Sequence, residues 1–300
     1  MAGLTSSLQS ALLNRAWTQW IALGVDATGE RDDAVVDPEA LIALTAELGD
    51  ADARLRDVST DWCIAYGRYV NGSRLKQVAR ELRTPPEAIG EYVATVAAAA
   101  GPTWPMATQP RAEYVTRGKA RLDSALAPAL LRVRLRAAFG VNARADILAA
   151  LLATPSTGLS VADLARTTRF TKPSVAFAAD ALVLAGLIEA RTVGNERRLV
   201  LAGADEILPG LQPPIAQPDW VIRFGVALEV LRFTRQEGLP TSVRAIEARR
   251  VFEGLRTRIL SEGLPQPKAA ALGDEFSGAF DRWVVQLVDG LGARVEIKGD

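Results

Sequence analysis

Few of the side chains that carry out catalysis are present in this chain. It contains no histidine and one cysteine, Cys63, which excludes Ser-His-Asp and Cys-His catalysis, intramolecular disulfides and most transition-metal sites. Acid–base chemistry would depend on carboxylates alone, so we expect no enzyme, no metal and no cofactor. The apolar neighbours of Cys63 in "DWCIAY" predict a buried, inert thiol.

Carboxylates gather once, in the stretch "GERDDAVVD", which contains Glu30, Asp32, Asp33 and Asp37. A calcium loop needs oxygen ligands at alternating positions around a central glycine, and this spacing is absent. The stretch therefore predicts a solvated loop. No Walker loop or GxGxxG motif is present.

Arginines form the other candidate group, in the hairpin-like stretch "RTVGNERRLVL" at residues 191–201. Arginine side chains can bind phosphate. The chain as a whole, however, has no excess of positive charge with which to bind nucleic acid nonspecifically, because 35 basic residues balance 35 acidic ones. Any contact with DNA must come from a local patch. The region 129–201 provides one, with ten Lys or Arg and five Asp or Glu.

Composition and length place the chain among globular proteins of two or three domains, with 300 residues, 49% hydrophobic and 23% charged. The N-terminus lacks a basic segment followed by an apolar core, and no apolar run is long enough to span a bilayer. We expect a cytoplasmic protein with no membrane contact.

Helical periodicity dominates both ends of the chain. It predicts helices over 4–26, 37–49, 51–70, 73–82 and 86–100, and again through most of the last eighty residues. Two proline-rich stretches interrupt the pattern, at 101–110 and 203–218. The predicted organisation is an N-terminal helical domain (1–110), a central domain (111–205) and a C-terminal helical domain (206–300).

Residues 73–97 imitate a helix-turn-helix, but the second helix would carry Glu87 and Glu91, which repel phosphate. We expect a helical hairpin of the N-terminal domain there. The tryptophans mostly fall in apolar helical patterns and are expected to anchor cores.

The central segment has elements of a particular order. A helix that ends near Pro155 is followed by a short helix with Ser160 as N-cap and Asp163 at N3. A turn leads to a third helix over 172–185 with Pro173 in its first turn, and Gly186 ends it. Two strands around "VGN" then pair as a hairpin. This is the order of a winged helix-turn-helix.

The motifs "LSVADLART", "KPSVAFAADALVLAGLI" and "RTVGNERRLVL" resemble those of MarR-like and ArsR-like bacterial regulators over about sixty residues. The resemblance implies a mainly α fold with a central winged helix and a small β-hairpin wing, flanked by helical domains. It also implies that helix 172–185 enters the major groove of double-stranded DNA while wing 191–201 contacts the backbone. The residues expected to bind DNA are Arg169, Thr171, Lys172, Ser174, Phe177, Arg191, Asn195, Arg197 and Arg198.

The chain departs from the usual pattern at Ala176 and Phe177, where family members often carry Ser and a basic residue. Phe177 either contacts thymine methyl groups or packs inside the protein. We expect a sequence-specific transcriptional regulator, more specifically a repressor. The alternative is a protein-interaction module, such as an antitoxin or defence-system component, that uses a winged helix without DNA contact.

A homodimer is expected, because one winged helix makes few base contacts and two of them read a pseudo-palindromic site. Two apolar stripes are candidates for the dimer surface. One lies on the N-terminal helix and contains Trp17 and Trp20. The favoured one lies on the C-terminal helices and contains Phe252, Leu255, Phe280, Trp283, Val284 and Leu287, of which the last four recur at i, i+3, i+4 and i+7. The alternative is that the second stripe closes the chain's own domain. The sequence does not identify an effector molecule.

Overall fold

The computed structural model describes residues 2–110, 113–122, 127–154, 157–203, 215–236, 238–267 and 274–292. These residues form twelve α-helices and one β-hairpin. The elements in chain order are α1 (Ala2–Ala22), α2 (Pro38–Leu48), α3 (Ala53–Tyr66), α4 (Gly72–Glu81), α5 (Pro86–Ala98), α6 (Leu131–Phe139), α7 (Ala143–Ala153), α8 (Val161–Thr168), α9 (Lys172–Leu184), β1 (Ile188–Val193), β2 (Glu196–Leu201), α10 (Trp220–Thr234), α11 (Thr241–Ser261) and α12 (Asp274–Gly292). Single 3-10 turns lie at Gly67–Tyr69 and Pro128–Leu130.

The central segment folds as its local signals predict. Ser160 and Asp163 form a capping box at the start of α8, in which the Ser160 hydroxyl accepts from the Asp163 amide. α9 begins at Lys172 with Pro173 in its first turn. β1 and β2 pair antiparallel, with Arg191 opposite Arg198. The predicted mainly α fold with a winged helix and small hairpin wing is confirmed.

Two hydrophobic cores divide the described residues. The winged-helix core is formed by α6 to α9 and the hairpin, with Leu148, Leu164 and Val175 completely buried. The second core takes residues from both ends of the chain, from Leu8 in α1 to Leu291 in α12. We call the helices around this second core, α1 to α5 and α10 to α12, the helical body.

Helices from the two ends of the chain are directly joined within the body. The Thr5 hydroxyl donates to the carbonyl of Thr234 at 3.0 Å, and Arg15 Nε donates to the carbonyl of Leu291 at 2.6 Å. The predicted division of the chain at 110 and 206 stays a prediction, but the packing shows that the first and last helices complete one core.

The favoured dimer stripe lies inside this core. Phe280, Trp283, Val284 and Leu287 are at most 5% exposed, and the ring of Phe280 lies 5.3 Å from that of Phe233. The prediction that the stripe faces a second copy is therefore wrong, because α12 uses its apolar face against its own chain. The other candidate stripe is also occupied: Trp20 is buried and the Trp17 indole donates to Asp52.

The two proline-rich stretches differ in what the structure describes. Residues 101–110 pack against the body, with Trp104 5% exposed beside Gly67 and Gly72. Most of the second stretch, 204–214, lies outside the described residues.

The prediction that "GERDDAVVD" is a solvated loop is wrong at two of its carboxylates. Asp32 is buried and binds Arg15 at 2.9 Å. Asp37 is buried as the N-cap of α2, where its carboxylate accepts from the Ala40 amide. Each buried charge has an arginine partner, which is what makes its burial tolerable.

Candidate nucleic-acid interface

The helix-turn-helix consists of α8, a three-residue turn and α9. Arg169 adopts a left-handed backbone conformation with φ of 60°, and its amide donates to the carbonyl of Ala165 to close α8. Val175, Ala179 and Leu182 bury one face of α9 against the winged-helix core. The opposite face of α9 is left at the surface of the protein.

The first turn of α9 exposes three of the predicted contact residues. The Thr171 hydroxyl accepts from the Ser174 amide at 3.3 Å and pairs with the Ser174 hydroxyl at 2.8 Å. Lys172 is exposed and makes no ion pair or hydrogen bond with any residue that the structure describes. One free cation and two hydroxyls therefore lead this helix.

Phe177 lies one turn further along α9 and is 75% exposed. Of the two alternatives for this side chain, packing inside the protein is excluded. Leu184 at the end of the same helix is 91% exposed. The outward face of α9 is thus polar and basic at its start, and beyond it Phe177 and Leu184 flank the exposed carboxylate of Asp180.

The hairpin wing projects beside α9. Gly194 takes φ of 62° at the tip and Asn195 beside it is exposed, while Leu199 pairs with Leu159 to tie β2 to the segment before α8. The tip and both arginine-bearing ends of the strands are therefore at the surface, on a base anchored in the winged-helix core.

Every arginine of the wing has an acidic partner at the surface. Arg191 lies 3.1 Å from Glu189, Arg198 lies 3.0 Å from Glu196, and Arg197 lies 3.6 Å from Asp180 of α9. Such exposed pairs contribute little energy, at most about 1 kcal/mol each. A phosphate can exchange for these carboxylates, although their charge lowers the positive potential of the wing.

Arg169 does not belong to this surface. Its side chain is 8% exposed and binds Glu81 of α4 at 3.1 Å and Asp219, the N-cap of α10, at 2.8 Å. The structure thus separates Arg169 from the eight other predicted contact residues. It connects the helix-turn-helix to the helical body.

Some of the basic side chains counted in the central segment are buried inside the protein. Arg132 and Arg136 of α6 are buried, together with the carboxylate of Asp146. Eight Lys or Arg and four Asp or Glu of residues 129–201 remain at least partly exposed, which lowers the accessible excess from five to four. Arg169 is one of those eight, although its side chain is only 8% exposed. The basic patch is weaker than the sequence count indicates.

A buried ionic cluster explains where these arginines go. It joins the body to the winged helix and contains three arginines and three carboxylates. Its members are Asp37, Glu39, Arg74, Arg132, Arg136 and Asp146. Sequence reasoning did not find this cluster; the available signal was "LRVRLR" in α6, where arginines alternate with apolar residues on a helix that must pack.

Glu39 lies at the centre of the cluster and is fully buried. Its carboxylate accepts from Arg136 at 2.6 Å, from Arg74 at 2.7 Å and from the backbone amide of Asn71 at 2.7 Å. Charges balance within the cluster, and every carboxylate is bonded to at least one arginine. Such a cluster is stable only while complete, because each member left alone would be a desolvated charge.

The aspartates of the cluster are held in their charged form. Burial by itself would raise the pKa of the Asp37 carboxyl, but Arg74 and Arg132 outweigh it and hold that pKa well below its usual range. For Asp146, Arg136 and Arg132 likewise outweigh burial and lower the pKa. Both groups therefore stay ionised near neutral pH.

In the described part of the chain, no group of three His, Cys, Asp or Glu side chains has the arrangement to hold a metal ion. None of the helices in that part is both long and apolar enough to cross a membrane.

The order α7, α8, turn, α9 and hairpin, with its own core, defines a winged helix-turn-helix. Residues 142–199 match the family model described as MarR family. The central segment therefore carries a MarR-like winged-helix regulator domain, as its motifs predict. No curated protein and no solved structure matches the chain.

Proposed function

We propose that this protein is a sequence-specific DNA-binding transcriptional regulator that acts as a repressor in the cytoplasm, and not an enzyme. α9 enters the major groove of double-stranded DNA and the wing contacts the adjacent backbone. The observation that supports this most is the unpaired Lys172 at the exposed start of α9, in a domain of the MarR kind. In this fold, the first turns of that helix reach the base edges.

The contact residues that we propose are Thr171, Lys172, Ser174, Phe177, Arg191, Asn195, Arg197 and Arg198. Arg169 is left out, because its guanidinium is committed to Glu81 and Asp219. Phe177 lies on the same outward face and can contact thymine methyl groups.

The experiment is selection of bound fragments from genomic DNA, followed by fluorescence anisotropy on the selected duplex and on a random duplex of equal length. Lys172→Ala is compared with Lys119→Ala, which removes another exposed lysine on a different element. We expect the first variant to lose about 1–3 kcal/mol on the selected duplex, if Lys172 contacts a guanine, and the second to lose nothing. Absence of any selected sequence, with equal binding to all duplexes, would contradict sequence-specific regulation.

A protein-interaction module is the second candidate, and the exposure of Phe177 and Leu184 favours it. Large apolar side chains at the surface of one helix are typical of protein contacts. In that case Leu184→Ser would weaken binding to a partner protein, and neither the parent chain nor the variant would bind DNA.

We further propose that the protein works as a homodimer, which gives two winged helices for two half-sites about 34 Å apart. Neither apolar stripe predicted from the sequence is free to form this contact. Light scattering on the whole chain tests the assembly itself, and a monomer that occupies full-length sites at one chain per duplex would contradict it. A reporter gene placed behind the selected sequence distinguishes repression from activation.

A further inference from the structure

α4 of the helical body lies along the winged helix. The Asn71 side chain, at its N-cap, donates to the carbonyl of Val141 just before α7. Arg74 Nε, in its first turn, donates to the carbonyl of Thr168 at the end of α8, at 3.0 Å. Glu81, its last residue, binds Arg169 at 3.1 Å. The helix therefore follows the helix-turn-helix and ends beside the turn that leads into α9.

The outward face of α4 is polar and carries two cations one turn apart. Ser73, Lys76, Gln77 and Arg80 are exposed, while Leu75 and Val78 are buried in the body. Lys76 and Arg80 make no ion pair or hydrogen bond with the residues that the structure describes. They differ in this from the three arginines of the wing, each of which has an acidic partner.

The acidic side chain nearest to these cations in the sequence is already ion-paired. Glu81 shares Arg169 with Asp219 and accepts from Gln77 at 3.2 Å. The exposed face of α4 therefore carries an excess of positive charge. Unpaired cations on a helix that is bonded to the helix-turn-helix are suited to phosphate, whose contacts are independent of sequence.

The position of α4 relative to the winged helix is fixed from inside. Arg74, which bonds Thr168, also binds Asp37 and Glu39 in the buried cluster. Its side chain is 1% exposed. Because this guanidinium is bonded on both sides, α4 cannot rotate or slide without breaking buried ion pairs, and the backbone positions of Lys76 and Arg80 are fixed before DNA binds.

We propose that Lys76 and Arg80 of α4 bind the phosphate backbone next to the helix-turn-helix, so that the helical body is part of the DNA-binding surface. This inference rests on the proposed function, since it needs DNA on α9. It assigns to α4 a positioning role: the two contacts add affinity and fix the register of α9 in the groove, without contacting bases.

Each phosphate contact contributes about 0.9 to the slope of log affinity against log salt concentration. The double variant Lys76→Ala/Arg80→Ala should reduce this slope by about 1.8. Between 50 and 200 mM salt, affinity should then fall about tenfold less than it does for the parent chain. The loss at low salt should be equal on the selected and the random duplex.

The matched control is Lys119→Ala/Arg282→Ala in the full chain. This control removes two positive charges, as the α4 variant does, but at exposed positions elsewhere in the chain. Lys119 lies in the segment between α5 and α6, and Arg282 lies in α12. Anisotropy titrations at four salt concentrations give the slope for the parent, the variant and the control. The conservative variant Lys76→Arg/Arg80→Lys should keep the parent slope, and unchanged urea midpoints show that all chains are folded.

The outcomes separate the two proposals. A reduced slope for the α4 variant alone supports the inference. If the parent and the control bind DNA and the α4 variant binds with the parent slope, this inference fails while the proposed function stands. If the control loses as much as the α4 variant, the effect is one of net charge and the inference is again overturned. If the parent chain binds neither duplex at any salt concentration, both proposals fail.

Discussion

Replacement of Glu39 by glutamine is the sharpest test of the buried cluster. The substitution keeps the size of the side chain and removes one charge, which leaves three arginines facing two carboxylates in a fully buried site. The amide can keep the acceptor bonds of one oxygen, but its NH₂ group turns two N–H bonds toward arginine donors. Two hydrogen bonds to charged groups are lost, each about 1.5–3 kcal/mol.

We therefore expect Glu39→Gln to lower the free energy of unfolding by about 3–5 kcal/mol, the usual cost of removing one partner of a buried ion pair. The assay is urea unfolding followed by the fluorescence of the buried tryptophans. Glu81→Gln is the control, since it breaks an ion pair whose carboxylate is 34% exposed and should cost at most about 1 kcal/mol. Equal losses for the two variants would refute the reasoning, because they would mean that water or relaxation solvates the cluster.

Three further outcomes follow from the described contacts. Arg197→Ala/Arg198→Ala should weaken binding to all DNA sequences similarly. It should also reduce the slope of log affinity against log salt concentration by about 0.9 for each lost contact, and an unchanged slope would mean that the wing does not contact DNA. Burial raises the pKa of the Cys63 thiol to about 12, so a thiol reagent should label it only after unfolding, and fast labelling of the native chain would contradict its burial. Because Asp37 and Asp146 have lowered pKa values in the folded chain, their stabilisation is full above about pH 4 and is lost as the pH falls below it. The urea midpoint measured from pH 7 to pH 3 should drop in that window, and a flat profile would show that the cluster contributes no pH-dependent stability.

Local signals in the sequence were sufficient for the winged helix. The capping box at Ser160 and the Pro173 start of α9 act within four residues, so one short segment is enough to predict where α8 and α9 begin. Gly194 is a local signal as well, because it indicates the turn at the tip of the wing. The motifs that resemble those of MarR-like regulators strengthen these signals, because the caps, the turn and the motifs fall at the same positions.

Long-range partners could not be predicted in the same way. Nothing near Arg136 in the chain indicates that its carboxylate partner is Glu39, 97 positions away. The sequence shows a charged side chain, but only the fold decides whether that charge is solvated or paired inside. For this reason, the sequence overestimates the accessible basic charge of the central segment and wrongly predicts Arg169 as a contact residue.

Amphipathic patterns had a related ambiguity. The stripe through Phe280 and Trp283 shows correctly that one face of α12 must be covered. It does not say by what, and the structure shows that the cover is the chain's own helices. Trp17 and Trp20 were equally ambiguous.

The closure of the body by α12 has a consequence for the order of events on the ribosome. The winged-helix core needs little chain beyond Leu201, whereas the body core needs residues as late as Leu291. At elongation rates of about 5–20 residues per second, those last ninety residues take about 5–18 s to appear. During that interval, the winged-helix domain can already be folded while the apolar faces of the first five helices are still uncovered. The nascent chain is then exposed to aggregation, and a chaperone that binds apolar helices would act in this interval.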